Sequence, residues 1–344
     1  MIPIQNVYYM LSYAFQVLNE QGYKDIATEK FNNTAELMAA ILAKGIAVQI
    51  KRGLGKEYIP QTESLSALRG KIDMAESIKT HSMLRKQMIC TYDEFSVNGT
   101  MNRIIKSTVE LLLRSDISKV RKKELRKLMV YFGDVEPIDL YTINWNIQYN
   151  RNNQTYRLLI SICYLVVKGL LQTNSDGSTR LMEFVDEQRM CRLYEKFILE
   201  YYRKEYPDIT ANASQIAWQL DDGIGAMLPI MQTDIMLTYK EKVLIIDAKY
   251  YTHTTQSKFD RHTLHSGNLY QIFTYVKNKE IELATQPHEV SGMLLYAKTD
   301  ETIYPNNTYQ MSGNKISVKT LDLNVGFDGI AAQLNGIVKE YFEL

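Results

Sequence analysis

Gln232-Thr233-Asp234-Ile235-Met236-Leu237-Thr238-Tyr239-Lys240-Glu241-Lys242-Val243-Leu244-Ile245-Ile246-Asp247-Ala248-Lys249-Tyr250 is the most informative stretch of this 344-residue chain. Two β-rich runs flank a short charged turn, which is the pattern of an antiparallel hairpin. If the turn is centred between Lys240 and Glu241, facing residues have numbers that sum to 481, and Asp234 then faces Asp247. Opposed residues on antiparallel strands point to the same side, and the two-residue period puts Lys249 on that side too. Two carboxylates and an ammonium group are therefore expected on one patch. The alternative is an ordinary solvated strand end. Against it, Val243-Leu244-Ile245-Ile246 is apolar on both faces and reads as a central strand, where an acid and a lysine carry a burial cost.

Adjacent carboxylates repel, and one of them holds its proton more tightly unless a cation lies between them. Oxygen donors without Cys or His at ligand spacing favour Mg²⁺, or Mn²⁺, over Zn²⁺. Such an ion polarises a phosphodiester and lowers the pKa of an attacking water. Lys249 is then expected to orient that water or to offset charge developing on the phosphate.

Outward from the hairpin, the composition is that of a folded globular protein: 45% hydrophobic, 23% charged, with 40 Lys+Arg against 39 Asp+Glu. Cys90, Cys163 and Cys191 are odd in number and far apart, which fits neither a disulfide framework nor a zinc ribbon and suggests a reducing, cytoplasmic setting. No basic-then-apolar leader opens the sequence, and the most apolar run, Leu158 to Val167, is too short for a membrane span. The polar segment from Thr173 to Thr179 is the best linker candidate, giving domains 1–180 and 181–344. Residues 1–180 carry a net +7 and residues 181–344 a net −6, so phosphate attraction is expected mainly in the first half.

The first half reads as mixed α and β, with helices over 5–18, 34–51, 99–115, 118–131 and 155–172 and strands within 56–74 and 88–97. Asn33 with Glu36 forms an Asx version of a capping box. In the second half a helix over 182–206 precedes strands near 214–220, 232–239 and 243–251, then a helix over 267–278. Strands near 290–297, 303–311 and 315–322 and a helix over 327–342 complete an α/β fold with a sheet packed on both faces.

Asp234 followed by Asp247-Ala248-Lys249 resembles the core of the PD-(D/E)xK nuclease superfamily, with Thr233 in place of the motif's Pro. The N-terminal half adds a second resemblance. Ile2-Pro3-Ile4-Gln5-Asn6-Val7-Tyr8-Tyr9-Met10-Leu11-Ser12-Tyr13-Ala14, then Arg52-Gly53-Leu54, Leu68-Arg69-Gly70-Lys71-Ile72 and Asn102-Arg103-Ile104-Ile105-Lys106-Ser107-Thr108 are similar, in the same order, to the McrC family. That family supplies the nuclease subunits of McrBC modification-dependent restriction systems.

The resemblance implies an α+β adaptor over 1–180 and a restriction-endonuclease-like domain with a mixed central sheet over 181–344. It implies a Mg²⁺-dependent (or Mn²⁺-dependent) endonuclease cutting methylcytosine-containing double-stranded DNA, with Asp234 and Asp247 as metal ligands and Lys249 as the third catalytic residue. The partner would be an McrB-like AAA+ GTPase hexamer that binds the GTP, and two such subunits would pair to cut both strands. Gly53-Leu54-Gly55-Lys56 lacks the residues of a phosphate loop, so the motor is expected on another chain. Glu195 is either an accessory acid near the metal or a surface carboxylate with an ion-pair partner. Gln271 and Tyr275 share a helical face and match a Q-x-x-x-Y element that supports the site or DNA, unless they serve only helix packing. Lys119, Arg121, Lys122, Lys123, Arg126 and Lys127 either touch DNA or the partner or form a solvated face. Two other readings stay open: an assembly factor and GTPase activator with a secondary nuclease role, and an autonomous endonuclease.

Overall fold

The computed structural model describes residues 2–15, 18, 26, 29, 31, 33–151, 153–173, 187–251, 256–258, 261–298 and 304–344. The chain divides into two compact units: a composite unit of Met1–Glu20 with Val185–Leu344, and an inserted unit, Gln21–Phe184. The composite unit opens with α1 (Ile4–Ala14). The inserted unit follows with α2 (Thr34–Arg52), β1 (Glu57–Leu65), β2 (Lys71–Ile72), α3 (Met74–Lys79), β3 (Met88–Ser96), α4 (Thr100–Arg114), α5 (Lys119–Met129) and α6 (Tyr156–Thr173). The composite unit resumes with α7 (Glu187–Glu205), β4 (Thr210–Asn212), β5 (Gln215–Ile216), β6 (Met231–Gln232), β7 (Ile235–Tyr239), β8 (Lys242–Lys249), β9 (Gln256–Lys258) and β10 (Arg261–Thr263). It ends with α8 (Ser266–Glu282), β11 (Glu289–Ala297), β12 (Asn307–Met311), β13 (Asn314–Leu321) and α9 (Phe327–Phe342).

In the composite unit a six-stranded mixed sheet has the order β12-β13-β11-β8-β7-β4. Strands β13, β11 and β8 run parallel, and the remaining pairings are antiparallel. The two-residue period sorts β13 between two helical layers. Ile316 and Val318 join Ile272, Tyr275 and Val276 of α8, together with Val243, Ile245, Leu294 and Tyr296. Ser317 and Lys319 face α9, bonded to Tyr341 and Glu340. Gly292 lets α8 lie close on the sheet, because a Cβ there would stand 2.8 Å from Val276 Cγ2. Val243, Leu244, Ile245 and Ile246 are all buried, as their two-sided apolar character predicts.

The boundary expected after residue 180 needs one correction, since α1 belongs with the C-terminal half. Asn6 Nδ2 donates to the carbonyls of Leu323 and Val325, both at 2.7 Å. The Tyr9 ring stacks on Phe327 at 4.4 Å between centroids, and Tyr13 Oη donates to Glu205 at 2.8 Å. Val7, Met10 and Leu11 are buried, so this helix completes a core whose other members lie more than 180 residues away. The charge split survives the correction, because Glu20 leaves the basic unit and Glu183 enters it.

The inserted unit pairs a three-stranded antiparallel sheet, β1-β3-β2, with its helices. Asn102, from one of the family-like segments, anchors a hydrogen-bond network. Asn102 Nδ2 donates to the Gly55 and Val97 carbonyls, both at 2.8 Å, while Tyr156 Oη donates to Asn102 Oδ1 at 2.7 Å and accepts from the Gly55 amide at 2.7 Å. A Cβ at Gly55 would sit 3.0 Å from the Tyr156 ring, so Gly55 is there for close approach. The Gly53–Lys56 fragment joins the end of α2 to the start of β1, the reverse of the strand-loop-helix order of a phosphate loop.

Local differences have local causes. Asn33 Oδ1 accepts from the Glu36 amide at 2.8 Å, but the Glu36 carboxylate accepts from Ser118 N and Oγ rather than turning back to Asn33, so half of the capping box forms. Within 56–74 strand pairing stops at Ile72, and Asp73 caps α3 by accepting from the Glu76 amide at 2.9 Å. The strand expected over 214–220 shortens to Gln215–Ile216, matching its two-residue partner Met231–Gln232, and beyond it Trp218 Nε1 donates to the Pro229 carbonyl. The helix expected over 5–18 ends at Ala14. The linker beyond Thr173, the first five residues of the 182–206 helix and residue 303 lie outside the described residues, and the strand expected over 303–311 runs Asn307–Met311.

Candidate active site

Strands β7 and β8 pair in the register expected from the turn: Ile235 faces Ile246 and Tyr239 faces Lys242. Lys240 takes the left-handed conformation, φ 52°, that reverses the chain. The ladder stops at Ile235, and at Asp234 the side chain takes over from the backbone. Asp234 Oδ2 accepts the Ala248 amide at 2.9 Å. Thr233 anchors this bend, since its amide and hydroxyl donate to the Ser214 carbonyl and its hydroxyl accepts from the Ser214 amide. Lys249 Nζ donates to Asp247 Oδ1 at 2.9 Å. The side chains of Asp247 and Lys249 are only 2% and 14% exposed. Asp234, Asp247 and Lys249 thus meet at the C-terminal end of the central strand.

Burial dominates the electrostatics. It raises the pKa of Asp234, partly offset by the Lys249 ammonium and the Ala248 amide. Asp247 is raised by burial and then by the Asp234 carboxylate, against the pull of Lys249. Burial works against the Lys249 ammonium, but Asp247 and Asp234 outweigh it and hold its pKa above the ordinary lysine value. With both acids ionised, two carboxylates against one ammonium leave the site one cation short, a place that a shared proton or a metal ion fills.

The donor set fits a hard divalent ion. Asp247 Oδ2 is buried, and no hydrogen-bond donor among the described residues reaches it, so a strong acceptor stands unsatisfied. Among the described residues no three His, Cys, Asp or Glu side chains group closely enough to hold an ion by themselves. Two carboxylates with remaining positions left to water and phosphate oxygens is how proteins commonly hold Mg²⁺.

Glu195 on α7 stands near this pair. Burial and the Asp234 carboxylate raise its pKa, and Cys191 Sγ donates to its Oε1 at 3.0 Å. On α8, Gln271 Nε2 donates to Tyr275 Oη at 2.9 Å, and Tyr275 Oη donates to the Gln232 carbonyl at 3.1 Å. That chain ends two residues before Asp234. Sequence reading passed over Cys191, although its i, i+4 spacing to Glu195 was visible. It also passed over Asn268, whose Nδ2 donates to Tyr296 Oη at 2.9 Å; Tyr296 lies opposite Lys249 in the parallel β8–β11 pairing, a neighbour only the fold supplies.

The basic residues of α5 do not act as one group. Lys119, Lys123, Arg126 and Lys127 are exposed and Lys122 is half-buried. Arg121 differs: its side chain is 14% exposed and its guanidinium is paired with Glu29, Glu36 and Glu124. It ties α5 to α2 through Glu36, so its charge is already paired within the unit.

A mixed sheet flanked by helices, with acid, acid and lysine on its central hairpin, defines an α/β protein with a candidate metal site. The McrBC 5-methylcytosine restriction system component family matches residues 5–297, and the chain belongs to that family. It is 28% identical over 348 residues to the type IV methyl-directed restriction enzyme EcoKMcrBC of Escherichia coli strain K12, with 99% of each chain covered. Among solved structures it is similar to the half-complex from the tetradecameric assembly of Thermococcus gammatolerans McrB AAA+ hexamers with bound McrC, at 20% identity and TM-score 0.48 over 97% of this chain and 76% of that one. A cryo-EM structure of the Thermococcus gammatolerans McrBC complex matches at 23% identity and TM-score 0.41, covering 59% and 58%. Among the described residues no helix is long and apolar enough to cross a membrane.

Proposed function

We propose that this chain is the DNA-cleaving subunit of an McrBC-type restriction complex, a divalent-metal-dependent endonuclease directed to methylcytosine-containing DNA. One observation carries the reading: beside Asp234, Asp247 Oδ2 is buried with no donor among the described residues, at the end of a central strand that also delivers Lys249. Asp234 and Asp247 hold Mg²⁺, which when bound polarises the scissile phosphodiester and acidifies water. Lys249, kept protonated by its two carboxylates, positions the attacking water or neutralises charge building on the phosphate. Tyr275, with Gln271, fixes the backbone that leads into Asp234.

The inserted unit is the adaptor for an McrB-like AAA+ GTPase and stimulates its GTP hydrolysis. Its charge supports a division of labour. The composite unit is acidic overall, and non-specific DNA affinity comes largely from Lys and Arg, so DNA has to be delivered by the partner and the basic unit. The test is cleavage of methylated and unmethylated duplexes by the chain with its partner GTPase, with and without GTP and Mg²⁺. Cutting that needs all three and the methyl groups supports the proposal, whereas efficient nucleotide-independent cutting by the chain alone rejects the partner assignment.

A further inference from the structure

Cys191 sits between the catalytic strand and the acid of α7. Its Sγ has two acceptors in reach, Glu195 Oε1 at 3.0 Å and, at 3.8 Å, the carbonyl of Ala248, the residue between Asp247 and Lys249. The Tyr250 backbone amide also faces the sulfur. A thiol has one proton and a weak acceptor, so the sulfur accepts from the Tyr250 amide while its proton goes to Glu195 Oε1, the nearer of its two acceptors. Cys191 and Glu195 are four apart on one helical face. This spacing makes the pair a single device, pinned to the last residues of β8.

Glu195 needs such a restraint. It is a long side chain with three rotatable bonds, it shares a negative site with Asp234, and without a tether repulsion favours rotamers that swing it away. Among the described residues no three acids group closely enough to share an ion directly. With a cation held by Asp234 and Asp247, Glu195 would act one step out, accepting hydrogen bonds from water bound to that cation. We propose that Cys191 is a positioning residue: its thiol holds the Glu195 carboxylate beside the Asp234–Asp247 pair, and the affinity of that pair for a divalent cation depends on the sulfur.

This inference rests on the metal-site reading above, and one set of titrations separates the two. Mn²⁺ binding to the full-length chain is measured by calorimetry without DNA. The expected result is that Cys191→Ala weakens binding about tenfold, the scale of a lost partner behind a ligand set. Cys191→Ser, whose hydroxyl donates in the same place, should recover most of it. Glu195→Ala should match Cys191→Ala, and the double variant should be no weaker than either. Unchanged Mn²⁺ affinity in Cys191→Ala, or losses that add in the double variant, overturns the positioning role while Asp247→Ala still abolishes binding. If Asp247→Ala binds Mn²⁺ as well as the unaltered chain, the metal-site reading fails and the positioning role fails with it.

Discussion

The Ala248 amide donates to the carboxylate of Asp234 at 2.9 Å, where a main-chain ladder bond would otherwise sit. An acid thus does the work of a backbone acceptor, and this ties its position to the strand that carries Asp247 and Lys249. It also separates shape from charge. Asp234→Asn keeps an oxygen for Ala248 and should fold normally, but it removes one negative charge. We expect DNA cleavage to fall by at least about 100-fold, the scale of losing one preorganised electrostatic group, with a thermal midpoint close to the unaltered chain. Asp247→Ala and Lys249→Ala should abolish cleavage equally while GTPase stimulation persists. Full cutting by either would remove the assignment.

Tyr275→Phe deletes the hydroxyl that donates to the Gln232 carbonyl and accepts from Gln271. The cost to stability should be about 1–2 kcal/mol, typical of a lost hydrogen bond that leaves a partner unsatisfied. Because the freed backbone leads straight into Asp234, turnover should drop at saturating Mg²⁺ as well. Urea denaturation and cleavage rates measured on the same preparation would separate the two effects.

Asn6→Ala should destabilise the composite unit, although it lies far in sequence from the hairpin. It removes two buried donors from the Leu323 and Val325 carbonyls. About 1–3 kcal/mol is expected. Hydrogen exchange should show the added opening in α9 and the strands it covers, and protection in α4 and α6 should be unaltered.

The C-terminal helix is held to the sheet by Glu340, which pairs with Lys315 at 3.0 Å and with Lys319. Partial burial would raise the Glu340 pKa, but the two ammonium groups outweigh it and leave the pKa lowered. The folded state therefore binds fewer protons than the unfolded one near that pKa, so this contribution is present above the ordinary glutamate value of about 4.3 and is lost as pH falls through the lowered one. Glu340→Gln should cost about 0.5–1 kcal/mol at pH 7, and the difference from the unaltered chain should vanish well below pH 4 in paired urea titrations.

Replacing Lys123, Arg126 and Lys127 together by Glu changes exposed residues of α5 and should leave the thermal midpoint unmoved. If these residues touch DNA, affinity of the assembled complex should weaken and the slope of log K against log salt should shrink by up to about 3. A loss of partner binding with an unchanged DNA slope would place the contact on the GTPase instead.

The hairpin register and the acid-acid-lysine set were legible in local sequence, because a two-residue period and a short turn leave little freedom once Val243–Ile246 must be buried on both faces. The α9 helix was read at its observed bounds for the same reason, since its apolar period and its neighbours agree. What local pattern could not supply was partnership. Nothing near Asn6 announces that its amide is spoken for by Leu323 and Val325, and Arg121 looks like its basic neighbours until Glu29, Glu36 and Glu124 close around it. Cys191 reads as an ordinary helix residue until the end of β8 arrives beside it. Periodicity and turn chemistry act over a few residues and are written into the chain directly. The worth of a charge, a thiol or an amide is set by whatever lies within about 3 Å of it, and for these residues that neighbour is brought in by the sheet and the helices packed on it.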